Sequence, residues 1–182
     1  MRDLWVFGYG SLIWRPGFEY EEAVPALVRG VHRSLCVYSW VHRGTQEQPG
    51  LVFGLDRGGS CRGMAFRVAG QNRERTIAYL REREQATMVY RETVRGVELD
   101  GRPHDPVEAL TYVADRTHPQ YAGALPRERQ LEIVLSACGQ SGPNPEYVVN
   151  TAQHLHHLGI HDRDLEWLEK QLIAHRNKTA TN

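Results

Sequence analysis

Cysteine is scarce: the chain has three, Cys36, Cys61 and Cys138, among 182 residues. An odd number at wide spacing excludes a disulfide-stapled secreted scaffold, and the close cysteine pairs of a zinc site are missing too. All three stand in apolar stretches and are expected to be reduced core residues. Net charge is also lacking, since 22 Lys and Arg balance 22 Asp and Glu. Without a field of one sign, nothing draws in nucleic acid or an anionic membrane, and a small neutral or zwitterionic molecule is the more natural partner. Long hydrophobic runs are absent as well. No segment approaches the roughly 20 apolar residues of a membrane span, and residues 4–7 are too few for the hydrophobic region of a signal peptide. The expectation is a soluble cytoplasmic protein.

What is present is enough apolar material, 41% of the chain, for one domain over residues 1–182 with a core and room for a cavity. Strand signals come first. "LWVFGY" (residues 4–9) and "VHRSLCVYSW" (31–40) are rich in β-branched and aromatic residues. "LVFGLD" and "CRGMAFRV" flank the turn-like "RGGS" and suggest a hairpin. "TMVYRETVRGVEL" and "EALTYVAD" are joined by "DGRPHDP", where Asp100-Gly101 and two prolines mark another turn. About six strands, mostly antiparallel neighbours, in a chain this short predict an α+β protein: a strongly curved or closed sheet with helices around it.

Within that pattern "VFGYGSLIW", residues 6–14, is anomalous. Two glycines in three residues weaken a buried strand, because glycine loses most backbone freedom on folding and offers no side chain to pack. Either a barrel corner bends here, or a ligand approaches the main chain.

The most legible helix is "NRERTIAYLRERE", residues 72–84, with Asn72 as N-cap candidate and Glu74 in its first turn. At about 100° per residue from Ile77, Leu80 lies about 60° away and Glu84 about 20°, whereas Glu82 is about 140° off the stripe. Glu84 therefore prolongs the apolar face and Glu82 points away. A carboxylate there is either solvated at a frayed helix end, or set in a cavity wall where desolvation raises its pKa toward the range useful for proton transfer.

Other chemistry-bearing groups carry less. "HLHHLGIH" places His154 and His157 on one helix face, but His161 follows Gly159, a C-cap candidate, so a three-ligand metal face is not expected. Ser11 lacks the G-x-S-x-G frame of a nucleophile elbow, and no lysine follows the glycines as a phosphate loop requires. Arg73, Arg75, Arg81 and Arg83 alternate with acids and read as a solvated face with internal ion pairs.

Taken in order, "WVFGYGSLIWRPGF", "HRG" at residues 42–44 with "PG" at 49–50, "CRGMAFRV", "YLREREQ", "YAGALP" and "SGPNPEY" resemble the ChaC family of γ-glutamylcyclotransferases over nearly the whole chain. The resemblance implies a small β-barrel surrounded by helices, and cleavage of cytosolic glutathione to 5-oxoproline and cysteinylglycine without metal or cofactor. It implies a substrate loop of Val6, Phe7, Gly8, Tyr9, Gly10 and Ser11. The catalytic glutamate is the one following the second arginine of "YLREREQ", Glu84, as the helical wheel also selects. Gly8 and Gly10 would then bare the loop's N–H groups to the substrate, with Tyr9 and Ser11 adding hydroxyls. Tyr121 and Tyr147 fall in matching segments without an assigned role. Trp40 and Val41 depart from the small or polar residues of many relatives, and "GTQEQPG" is expected to line the entrance, so the group accepted beyond the γ-glutamyl unit is open to change. Two alternatives stand beside this reading: a cyclotransferase for another γ-glutamyl amide or amine, and a non-catalytic regulatory module.

Overall fold

In the computed structural model, which describes residues 2–180, the apolar run LWVFG forms the first strand, β1 (Leu4–Gly8). A 3-10 turn, Ser11–Ile13, follows it. Four longer strands are β2 (Glu22–Ser39), β3 (Gly50–Val68), β4 (Tyr90–Leu99) and β5 (Arg102–Ala114). The five close into a barrel in the order β1-β3-β2-β4-β5, with an additional pairing between β3 and β5. Pairing is antiparallel for β1–β3, β2–β4 and β4–β5, and parallel where β5 meets β1 and β3. The mostly antiparallel barrel of an α+β protein is thus the fold.

Two strand expectations need correction. The "RGGS" stretch is no hairpin turn: β3 runs through it as one strand of 19 residues. Gly58 and Gly59, at φ +97° and +67°, bend the strand without reversing it. The second strand begins at Glu22, well before residue 31, and carries Pro25 and Gly30 within it. The Asp100-Gly101 turn forms as expected, with Leu99 opposite Arg102 and Gly101 at φ +79°. The two prolines of that stretch lie beyond the turn, inside β5.

Helix α1 (Arg73–Glu84) starts after a short 3-10 turn, Gly70–Asn72. Asn72 occupies the cap position without a side-chain cap bond; its amide donates to Glu19 Oε2 at 3.3 Å instead. The apolar stripe seats the helix. Leu80 joins Leu4, Val6, Leu12, Val68, Leu110 and Tyr112 in one buried cluster, against which Phe18, Ile77 and Tyr79 pack. Burying Leu80 alone is worth roughly 1.5–3 kcal/mol.

The chain forms two compact units. One holds the chain up to Ser34 with Phe53–Tyr121, the other Leu35–Val52 with the chain from Ala122 onward. The second contains the helices α2 (Arg127–Ser136), α3 (Asn144–His157) and α4 (Arg163–Ala180) and a two-residue-strand hairpin of β6 (Cys138–Gly139) and β7 (Gly142–Pro143). Cys36 and Cys61 are buried as expected, but Cys138 is exposed: it sits on this small hairpin rather than in a core. Among the described residues no helix is long and apolar enough to cross a membrane.

Candidate active site

The first unit brings β1, the turn after it and the end of α1 together. Val6 and Phe7 are fully buried, so they fix the strand and turn no side chain outward; the Phe7 carbonyl accepts a bond from Thr111 Oγ1 at 3.1 Å. Gly8 and Gly63 permit a close approach of backbone. A Cβ on Gly8 would sit 3.0 Å from Leu12 Cβ, and one on Gly63 would strike the Gly8 carbonyl and come within 2.8 Å of the Phe7 ring. A side chain at position 8 would therefore require Leu12 or Phe66 to shift by a few tenths of an ångström. Tyr9 is buried and its carbonyl accepts from Arg33 Nε at 2.6 Å. Gly10 opens the 3-10 turn, its carbonyl accepting from Ile13 N at 2.9 Å. Ser11, half-buried, offers its Oγ to Arg83 Nη2 at 2.9 Å.

Glu84 is the last residue of α1, and its side chain is 17% exposed. Glu82 is exposed, so the helical phase read from the sequence is the observed one. Burial pushes the Glu84 carboxyl above its ordinary range, against the opposing charge and hydrogen bond of Arg83. Oε1 lies 3.1 Å from Arg83 Nε. Arg83 thus touches Ser11 and Glu84 with one guanidinium and places the turn and the carboxylate side by side. The buried Tyr112 feels the charge of Glu84: its phenol is pushed up chiefly by burial, then by Glu92 and further by Glu84. A Glu82→Gln substitution is expected to change turnover less than about twofold, since surface changes away from special features are nearly neutral; steady-state kinetics checks this, and a loss as large as that at Glu84 would put the wrong face of α1 toward the substrate.

Arg75 and Arg81 of α1 are solvated as expected, but their ion-pair partners lie outside the helix. Arg81 forks onto Glu92 of β4 at 2.9 and 2.7 Å, Arg75 reaches Glu19 at 3.0 Å, and Arg73 donates to the Asp3 carbonyl at 3.3 Å. Glu74 and Glu82 stand at neither the i,i+3 nor the i,i+4 spacing from any of these arginines, and Glu84, three residues after Arg81, pairs with Arg83 instead. Arg83, 20% exposed, was missed as a site residue, and nothing in its alternating charge pattern distinguishes it.

The remaining candidates have structural partners. Tyr121 Oη donates to Asp56 Oδ2 at 2.8 Å, and Asp56 is also held by Arg116 Nε at 2.7 Å. In the second unit Tyr147 lies under the Arg43 guanidinium, 5.6 Å from its ring centre. His154 and His157 each donate from Nδ1 to the helix's own carbonyls of Asn150 and Gln153, at 2.7 Å. Among the described residues no group of three His, Cys, Asp or Glu side chains is arranged to hold a metal ion.

A closed five-stranded barrel accompanied by four helices is the γ-glutamylcyclotransferase-like fold. The crystal structure of a yeast γ-glutamyl cyclotransferase specific to glutathione matches with a TM-score of 0.86 at 20% identity, over 96% of this chain and 97% of that one. The chain belongs to the ChaC-like family, whose model matches residues 4–175. It is 34% identical over 175 residues to the glutathione-specific γ-glutamylcyclotransferase of Escherichia coli, covering 94% of this chain and 74% of that protein. To the human glutathione-specific γ-glutamylcyclotransferase 1 it is 35% identical over 163 residues, covering 88% and 73%.

Proposed function

We propose that this chain, acting as one domain in the cytoplasm, is a γ-glutamylcyclotransferase that converts glutathione to 5-oxoproline and cysteinylglycine, with Glu84 as general base and acid. The observation that carries the reading is the desolvated Glu84 carboxyl beside the Gly8–Ser11 segment. Family membership and the glutathione specificity in the names of the relatives support the substrate.

The chemistry asks little of the protein beyond what this site offers. In a γ-glutamyl amide the α-amine lies within reach of its own γ-carbonyl. Glu84 takes a proton from the α-ammonium, the freed nitrogen attacks the carbonyl carbon, and a five-membered lactam closes. The C–N bond to the cysteinyl nitrogen breaks as Glu84 returns the proton to it, and the second proton shed by the attacking nitrogen ends on the departing amine, which leaves as an ammonium. No water is consumed and no electrons change hands. Holding the flexible glutamyl chain in its cyclising conformer removes several kcal/mol of barrier. The segment from Gly8 to Ser11 is the candidate cradle for the α-carboxylate and developing oxyanion, through its N–H groups and the Ser11 hydroxyl. An α-ammonium of pKa near 8 gives up its proton more readily to a carboxylate whose own pKa has been raised.

The test is incubation of purified protein with reduced glutathione, following both products by mass spectrometry. Equimolar 5-oxoproline and cysteinylglycine are expected. Cyclisation of γ-glutamyl dipeptides but not of glutathione would move the substrate assignment; inertness toward all of them would overturn the reaction class.

A further inference from the structure

Arg83 and Glu84 are neighbours in sequence, and adjacent residues on a helix do not face each other. Their contact exists because the arginine side chain is held from its far end. Nη1 donates to the Arg15 carbonyl at 2.6 Å, the Pro16 carbonyl at 3.3 Å and Tyr79 Oη at 3.0 Å, while Nη2 donates to Ser11 Oγ at 2.9 Å. Tyr79 is itself set in place by Gly17, whose φ of +76° and missing Cβ leave room for the phenol. Nε then lies 3.1 Å from Glu84 Oε1 in an ion pair, and the carboxylate has no partner other than Arg83 among the described residues.

We propose that Arg83 is the positioning residue of the site: its guanidinium, anchored to the chain after β1, grips Oε1 of Glu84 and so presents Oε2 to the substrate amine. The inference rests on the reading of Glu84 as proton carrier and adds how that carboxylate is aimed and kept ionisable. A glutamate has three side-chain torsions, and an oriented grip removes the entropy of searching them. The cation also opposes the effect of burial, which raises the carboxyl pKa. Tyr112 of β5 also feels the charge of Glu84, but its hydroxyl donates to Glu92 Oε2 at 3.0 Å, and Glu92 is paired with Arg81 at 2.7 Å. Arg83 is the cation that acts on Glu84 itself.

The experiment compares wild type with Arg83→Gln and Arg83→Lys by two readouts: kcat and KM for glutathione across pH, and the titration of the Glu84 carboxyl carbon by 13C NMR in the resting protein. For Arg83→Gln, the Glu84 midpoint and the acid limb of kcat both move up by about one pH unit or more, and kcat at neutral pH falls about tenfold or more with KM little changed. Arg83→Lys keeps the charge and loses the fork, so kcat falls while the midpoint stays within about half a unit. An unmoved midpoint and limb in folded Arg83→Gln overturns the proposal. Should Arg83→Gln fail to fold, wild-type kcat in Arg83→Lys overturns it and a lowered kcat at an unmoved midpoint supports it. If wild-type protein consumes neither glutathione nor γ-glutamyl dipeptides, the proposed function falls, and the NMR midpoint alone decides for or against the grip of Arg83.

Discussion

Glu84→Gln is expected to lower kcat for glutathione by about 10²–10⁴-fold, the range supplied by a positioned acid or base, with glutathione affinity retained. Glutamine keeps the shape of the side chain and its contact with Arg83 but carries no proton between the two nitrogens. The same variant should melt at a higher temperature than wild type at pH 7. Burial raises the carboxyl pKa in the folded state, so the folded chain holds its proton more tightly than the unfolded one. The stability this provides is fully present below the unfolded carboxyl range and is lost as pH rises through the folded pKa. The advantage of glutamine therefore opens above that range and closes near pH 4 and below, a contrast that thermal melts at about pH 4 and pH 7 read directly. Arg83 keeps its bonds to Arg15, Pro16, Tyr79 and Ser11, so removing the carboxylate strands no cation. Undiminished turnover would refute the assignment, and a lower melting point at neutral pH would contradict the desolvation.

Asn144→Ala is expected to destabilise the fold by about 3 kcal/mol, lowering the melting temperature by roughly 6–12 °C for a chain of this size. Asn144 is fully buried. Its Oδ1 accepts from Leu51 N at 2.7 Å and its Nδ2 donates to the Leu51 carbonyl at 2.8 Å, completing both backbone groups of Leu51 as a neighbouring strand would. Alanine leaves a buried N–H and C=O without partners, the costly half of hydrogen-bond energetics. Gly50 is part of the same staple, since a Cβ there would meet the Arg43 carbonyl and come within 2.8 Å of Asn144 Oδ1. The "PG" and "SGPNPEY" motifs that mark the family thus meet in a structural joint. A variant that melts like wild type would show that the joint carries no stability.

Features set by near neighbours in the chain were legible before the structure. The 3.6-residue period put Leu80 inside, Glu82 outside and Glu84 on the inward stripe, and Asp100-Gly101 specified its own hairpin. Gly58-Gly59 misled because left-handed glycines serve a tight turn and a bend in a continuous strand alike. What decides between them is whether the flanking segments pair with each other, and here Met64 to Val68 pair with β1 while Leu55 pairs with Val113 of β5. Pro25 hid the first half of β2 because proline lowers strand propensity; its carbonyl nonetheless accepts from Asp100 N at 2.9 Å. Arg83 was invisible for a different reason. Two of its four anchors are main-chain carbonyls some 70 residues earlier in the chain, and a carbonyl leaves no mark in an amino-acid sequence.

That mode of anchoring reaches further. Thr111 holds the Phe7 carbonyl, Arg33 that of Tyr9, and Arg83 those of Arg15 and Pro16. Every residue type carries the same carbonyl, so at these four points the hold on the segment does not depend on the side chain of the residue held. Exposed positions such as Arg15 are therefore free to diverge among descendants, or to be randomised in a directed-evolution library, while the frame beneath them is inherited unchanged.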